Sequence, residues 1–265
     1  MKNFGIKVSA ALGTLFAASA LATPTIDSAV LNTRIFNDFP GSTLTTVNNY
    51  PAVVSFSDSN VSGPSGFANR HNFRLSDNGG ISAAVFLNGD AFAFESDVTI
   101  TGTAPVEAGL QVSPWWSQNV DGQFMINGTT GEVAVFGGRL PFYSFTGNHG
   151  VTYAMGTTIR QRVVYSPNGL SAADPATIEY IYSDGSGTYT SGPLAFDQGN
   201  PAEDPPYGLW GMLNDARVGG YAQIINNPQD PTHSATVTFG NMRFVPEPAS
   251  LGLLGLAAIG LLRRR

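Results

Sequence analysis

The chain has 265 residues, with 13 Lys and Arg against 19 Asp and Glu, 31 glycines and no cysteine. Without cysteine there is no thiol nucleophile, no Cys-based zinc site and no disulfide, so stability must come from burial and backbone hydrogen bonding. The acidic balance argues against nucleic acid and anionic lipid as partners, because both demand basic clusters.

At the N-terminus, Lys2 and Lys7 bracket the entry to a small, apolar run over 8–20, and Ala20-Leu21-Ala22 supplies a small-x-small cleavage site. This pattern predicts a signal peptide over 1–22, removed by signal peptidase so that the mature chain begins at Thr23. Residues 57–80 are polar and rich in Gly, Ser and Asn, and they predict a long loop. Residues 92–100 then alternate cleanly. Phe92, Phe94, Val98 and Ile100 share one face, and Ala93, Glu95, Asp97 and Thr99 the other, which predicts a half-buried strand.

Further strands are predicted over 107–113, 122–127 and 132–136, the last two joined by the turn Gly128-Thr129-Thr130-Gly131. Residues 157–165 set Ile159 and Val163 against Arg160 and Arg162. Residues 177–183 set Ile178, Tyr180 and Tyr182 against Glu179 and Ile181, and Asp184-Gly185-Ser186-Gly187 turns the chain into 188–190. Strands over 207–213 and 218–225 follow. The last, 235–244, carries a predicted bulge at Gly240-Asn241 that brings Met242 and Phe244 onto the face of Val237 and Phe239. Residues 166–176, 197–206 and 226–234 read as loops. No helical stripe or internal repeat interrupts the series, which predicts one all-β antiparallel sandwich over 23–244.

The C-terminus reads differently. Pro246-Glu247-Pro248 precedes twelve apolar residues over 251–262, and Arg263, Arg264 and Arg265 close the chain. Twelve helical residues span about 18 Å, short of the roughly 30 Å bilayer core. The arginines hold the end on the cytoplasmic side. A temporary hold in the membrane fits these lengths better than a permanent span.

This tail resembles the PEP-CTERM sorting signal of Gram-negative, exopolysaccharide-producing bacteria. The resemblance implies a sorting signal over 245–265, transient inner-membrane insertion and handling by an exosortase that acts near Pro246-Glu247-Pro248. It also implies delivery to the cell surface or the medium. With both terminal segments removed, 8 basic and 18 acidic residues remain, a net charge near −10 with no lysine.

The strand order resembles the concanavalin A-like lectin/glucanase jelly roll, carried by Phe94-Glu95-Ser96-Asp97-Val98-Thr99-Ile100, by the strand from Ile178 to Asp184-Gly185, and by the closing strand to Phe244. Retaining glucanases of this fold carry Glu-x-Asp-x-(x)-Glu on one strand, with alternate carboxylates about 6–7 Å apart. Here Glu95 and Asp97 match the first two positions, and Thr99 or Ile100 stands where the third carboxylate belongs. The domain is therefore expected to be non-catalytic, a glycan-binding or matrix protein associated with extracellular polysaccharide or the envelope. A jelly-roll hydrolase using Glu95 and Asp97, and a purely structural surface protein, are the alternatives.

Trp115 and Trp116, followed by Gln118 and Asn119, are candidate sugar-stacking residues, and Tyr207 and Trp210 flank a second aromatic segment. His71, His149 and His233 lack zinc spacing. No cofactor is expected. Calcium could take Asp58-Ser59-Asn60, Asp77-Asn78-Gly79 or Asp184-Gly185-Ser186-Gly187, each of which turn chemistry also explains.

Overall fold

The computed structural model describes residues 23–103, 105–113, 122–199 and 207–246. The first sheet holds seven strands in the order β1 (Ser28–Asn37), β4 (Ala68–Ser76), β14 (Arg217–Ile225), β6 (Val106–Ser113), β7 (Gly122–Asn127), β8 (Val133–Phe136) and β9 (Tyr143–Ser144). The second runs β12 (Gly187–Thr190), β11 (Thr177–Asp184), β10 (Thr158–Ser166), β5 (Phe92–Gly102), β15 (Ser234–Pro246), β3 (Val53–Ser59) and β2 (Thr43–Asn49), with β13 (Leu194–Ala195) also on β11. One short helix, α1 (Phe145–His149), is capped by Ser144, whose hydroxyl accepts from Gly147 N–H. The result is a nearly all-β antiparallel sandwich with jelly-roll crossovers. Among the described residues no helix is long and apolar enough to cross a membrane.

The alternation read from the sequence places the core. Phe92, Phe94, Val98 and Ile100 of β5 are fully buried between the sheets, as are Tyr180 and Tyr182 of β11. Phe73 and Phe239 meet edge-on at 5.0 Å, across Gly220, where a Cβ would stand 2.6 Å from one ring and 2.7 Å from the other. Burying each such ring contributes on the order of 2–3 kcal/mol. Gln161 of β10 is a buried polar residue with a structural role: its side chain accepts from Leu110 N–H at 3.0 Å and donates to the Phe124 carbonyl at 2.8 Å, which staples the two sheets together.

The turns follow their chemistry. Asn127 accepts from the N–H groups of Thr129 and Thr130, and Gly131 takes a φ of 75° that closes the hairpin. In β15 the register shifts between Gly240 and Arg243, with Asn241 at φ 48°, and Met242 and Phe244 turn onto the core as the bulge requires.

Two segments differ from expectation. Residues 57–80 are not a loop: they hold the end of β3 and the whole of β4, which lies between β1 and β14 and is buried along its entire length. Residues 207–213 form turns and bends rather than a strand, with Gly208 at φ 87° and Trp210 at φ 54°. Each departure has its own cause. Polar side chains that pair with each other inside the fold look like loop residues, and a glycine-broken apolar run looks like a strand. The expected signal peptide, Trp115, Trp116, and the sorting signal beyond Pro246 lie outside the described residues.

Candidate functional site

β4 reads Ala-Asn-Arg-His-Asn-Phe-Arg-Leu-Ser, with polar groups on both faces. Its inward side chains, Asn69 and His71, meet Asp58 of β3 across the core. Asp58 Oδ2 accepts from Asn69 Nδ2 at 2.8 Å and lies 3.2 Å from His71 Nε2. His71 Nδ1 accepts the Arg34 N–H at 2.9 Å, which leaves the ring proton on Nε2, aimed at Asp58. Burial alone would raise the Asp58 pKa, but hydrogen bonds from His71 and Asn69 outweigh it and hold the carboxyl below its ordinary range. All three side chains are sealed in the core, so this network is structural.

The outward side chains of β4 build a different feature. Strand register lines up three rows across β4, β14, β6 and β7. Arg70 stands beside Gln223, Glu107 and Asn127. Asn72 stands beside Tyr221, Gly109 and Met125. Arg74 stands beside Gly219, Gln111 and Gln123. Gly219 carries no side chain, and Arg74 Nη1 reaches over it to Gln111 Oε1 at 2.8 Å.

Arg70 is the centre of the array. It donates to Gln223 Oε1 at 3.1 Å, and its guanidinium stacks 4.4 Å from the centre of the Tyr221 ring. With the Gln123 amide oriented to suit its neighbours, its oxygen accepts two bonds from Arg70, at 2.9 and 3.0 Å, and its nitrogen donates to the Tyr221 hydroxyl at 3.1 Å. Glu107 accepts from Gln223 at 3.3 Å and from Asn127 at 3.1 Å. Asn32 of β1 extends the middle row by donating to Asn72 at 2.9 Å.

This face is enclosed. Arg70 is 2% exposed, Arg74 3%, Gln123 7%, and Asn72 and Tyr221 0%. Burial raises the Glu107 pKa despite the nearby Arg70 charge, and it pushes the Tyr221 phenol well above its ordinary value. Taking guanidinium groups out of water is costly unless every donor finds an acceptor. Here the amides offset part of that cost: Gln123 and Gln223 accept from Arg70 and Gln111 from Arg74, and the Glu107 carboxylate lies close enough to feel the Arg70 charge.

Glu95 and Asp97 lie elsewhere, on the outer face of the eight-stranded sheet. Arg160 Nε donates to Asp97 at 2.7 Å and its Nη1 lies 3.3 Å from Glu95, while Asn241 donates to the second Asp97 oxygen at 2.7 Å. Burial pushes the Asp97 pKa up, but the bonds from Arg160 and Asn241 prevail and lower it. Arg162 stands 3.8 Å from Glu95. An open cleft of about 230 Å³, lined by Glu95, Arg162, Arg243, Ala93 and Val245, sits beside them. The carboxylates are thus part of an arginine-paired strand face.

The possible calcium loops are built by hydrogen bonding. Asp184 accepts from the N–H groups of Ser186 and Gly187, and Asn78 accepts from Ser82 N–H. Among the described residues no group of three or more His, Asp or Glu side chains is placed to hold a metal. His149 is exposed and bonded to the Tyr143 hydroxyl at 2.9 Å, and His233 bonds Thr103 and the Pro105 carbonyl. Tyr207 is half exposed, and its hydroxyl bonds Gln198.

The sequence reading missed Arg70, Asn72, Arg74, Gln111, Gln123, Tyr221 and Gln223. The available signal was period two: Arg70, Asn72 and Arg74 alternate with Asn69, His71 and Phe73 as strand residues do.

The PEP-CTERM protein-sorting motif matches residues 244–265. Its first three residues, Phe244 to Pro246, therefore belong to β15. The motif implies exosortase-dependent export with transient anchoring in the membrane. No curated protein matches the chain. Among solved structures, the chain is similar to a family 7 alginate lyase, A1-II', in complex with substrate, at 8% identity and a TM-score of 0.45, over 76% of this chain and 80% of that one. It is also similar to alginate lyase PA1167 from Pseudomonas aeruginosa, at 12% identity and a TM-score of 0.45, over 73% and 82%. A functionally unknown protein from Saccharomyces cerevisiae matches at 11% identity and a TM-score of 0.42, over 78% and 96%.

Proposed function

We propose that the exported domain is a non-catalytic protein that associates with extracellular polysaccharide through the outer face of its seven-stranded sheet. The observation that carries this reading is the registered lattice of Arg70, Asn72, Arg74, Gln111, Gln123, Tyr221 and Gln223. Amide, guanidinium and phenol groups repeated at strand spacing match the alternating hydroxyls of an extended sugar chain, and the Tyr221 ring adds an aromatic surface. The face is shut off from solvent as it stands, so binding requires it to open. The groups a glycan would meet are then already oriented. Trp115 and Trp116 are proposed as additional stacking residues. Pro246, Glu247 and Pro248, with Arg263 to Arg265, are proposed as the elements exosortase reads.

The test is affinity electrophoresis against a panel of neutral β-glucans and uronate polymers. Retardation by at least one polymer, reduced about tenfold in Gln123→Ala and in Tyr221→Phe but unchanged in Glu95→Gln, is expected. Retardation that survives both face variants would remove this face from the proposal. The enzymatic alternative rests on Glu95 and Asp97, which are both held by Arg160. Polymer cleavage abolished by Glu95→Gln would establish it instead.

A further inference from the structure

The sorting motif begins inside the fold. β15 runs to Pro246, which pairs with Phe92 at the start of β5, near the middle of the eight-stranded sheet. Four residues, 247–250, separate Pro246 from the apolar run that starts at Leu251. Even fully extended, the five Cα steps from Pro246 to Leu251 reach no more than about 18 Å. β5 alone has 11 residues, or about 36 Å of strand. While the apolar run is held in the membrane, the end of the sandwich carrying Pro246 must therefore stand at the bilayer surface. The opposite end cannot.

That end also carries most of the exposed apolar surface. Of the six large hydrophobic side chains exposed among the described residues, Ile81 (86%), Phe142 (69%), Tyr207 (49%) and Val85 (42%) lie on its loops. Ile81 and Val85 are in the connection from Ser76 to Phe92, and Phe86 beside Val85 packs on Phe92 at 5.2 Å and on Phe244 at 5.6 Å. Phe142 follows Pro141, whose carbonyl accepts from Tyr180. Tyr207 is tied to Gln198, just beyond the strand pair at Thr177 and Ala195. Phe67 marks the far end, next to Ala68, which pairs with Ile225 at the end of β14.

We propose that this rim is a membrane-contact surface, and that Ile81, Val85, Phe142 and Tyr207 enter the lipid–water interface while the chain is anchored. Aliphatic tips and amphipathic aromatic rings are the side chains that partition there. Exposed Asp77, Asp174 and Asp197 on the loops of this rim disfavour an anionic surface, so the lipid it fits is zwitterionic. The contact seats the folded domain flush against the bilayer, where the short spacer is presented to a membrane protease.

The chain has no cysteine, so single cysteines can be labelled without background. The full chain carrying Ile81→Cys, Phe142→Cys or Phe67→Cys would be labelled with an environment-sensitive fluorophore and inserted into phosphatidylcholine vesicles containing nitroxide-labelled lipid. Flotation of the labelled chain reports anchoring, and quenching reports proximity. Quenching at least threefold stronger at 81 and 142 than at 67, and insensitive to salt, is expected. Equal quenching at the three sites, or none at 81 and 142 in chains that float, would overturn the proposal. Failure of the chain to float would overturn it together with the anchoring it rests on.

Discussion

Arg70 and Arg160 both project from the outer face of a sheet, both meet carboxylates or amides on neighbouring strands, and yet they sit in opposite surroundings. Arg70 is 2% exposed within a lattice of Gln123, Gln223, Tyr221 and Glu107. The Arg160 side chain is 40% exposed and pairs with Glu95 and Asp97 under water. The lesson is that a strand's polar face has two physical solutions. On the open face water screens each pair, so any one partner is dispensable. On the enclosed face every polar atom depends on its neighbours, and removal of one leaves the rest buried and unpaired.

The largest test of that difference is Arg70→Ala. It should destabilise the domain by about 3–5 kcal/mol, the range for removing one member of a buried ionic network, as read from the midpoint of urea unfolding. Tyr221→Phe, which keeps the ring and removes only the hydroxyl bonded to Gln123, should cost about 1 kcal/mol in the same measurement. Arg160→Ala should cost less than about 1 kcal/mol, because solvent screens both of its pairs. If Arg160→Ala matched Arg70→Ala, the distinction between the faces would collapse.

The subtlest difference is in protonation, because the two faces shift their carboxyls in opposite directions. Glu107 is raised, burial being the largest cause. Its contribution to stability is present below the unfolded value and is lost as pH rises through the folded one. Asp97 is lowered: burial opposes, but the bonds from Arg160 and Asn241 dominate. Its contribution is present above the unfolded value and is lost as pH falls through the folded one. Carboxyl-carbon NMR titration should place Glu107 above ordinary glutamates and Asp97 below ordinary aspartates. Arg160→Ala should move Asp97 upward and leave Glu107 in place.

The open face was legible in the sequence and the enclosed one was not. Glu95, Asp97, Arg160 and Arg162 alternate with Phe94, Val98, Ile159 and Val163, so the apolar neighbours announce the strand and its inward side. β4 has no such contrast. Asn69 and His71 point inward as readily as Phe73, because Asp58 of the opposite sheet awaits them. Only a partner thirteen residues upstream of His71 turns those polar groups into core, and hydrophobic patterning has no means of registering it. The bulge at Gly240-Asn241 was readable for the converse reason: Val237 and Phe239 on one side, and Met242 and Phe244 on the other, keep one buried face only if one residue is extra.

By itself the sequence determined the sorting signal at the C-terminus, the all-β class, most strand limits and the inward residues of the apolar strands. These depend on local spacing, covalent reach and the repeating contrast between apolar and polar side chains. The tertiary structure alone decided that β4 is a strand, that Arg70, Tyr221, Gln123 and Gln223 form one lattice, and that Glu95 and Asp97 share Arg160. It also decided that Ile81 and Phe142 stand at the end where the sorting segment leaves. Each of those facts joins residues far apart in the chain, and only sheet register brings them within hydrogen-bonding distance or onto one rim.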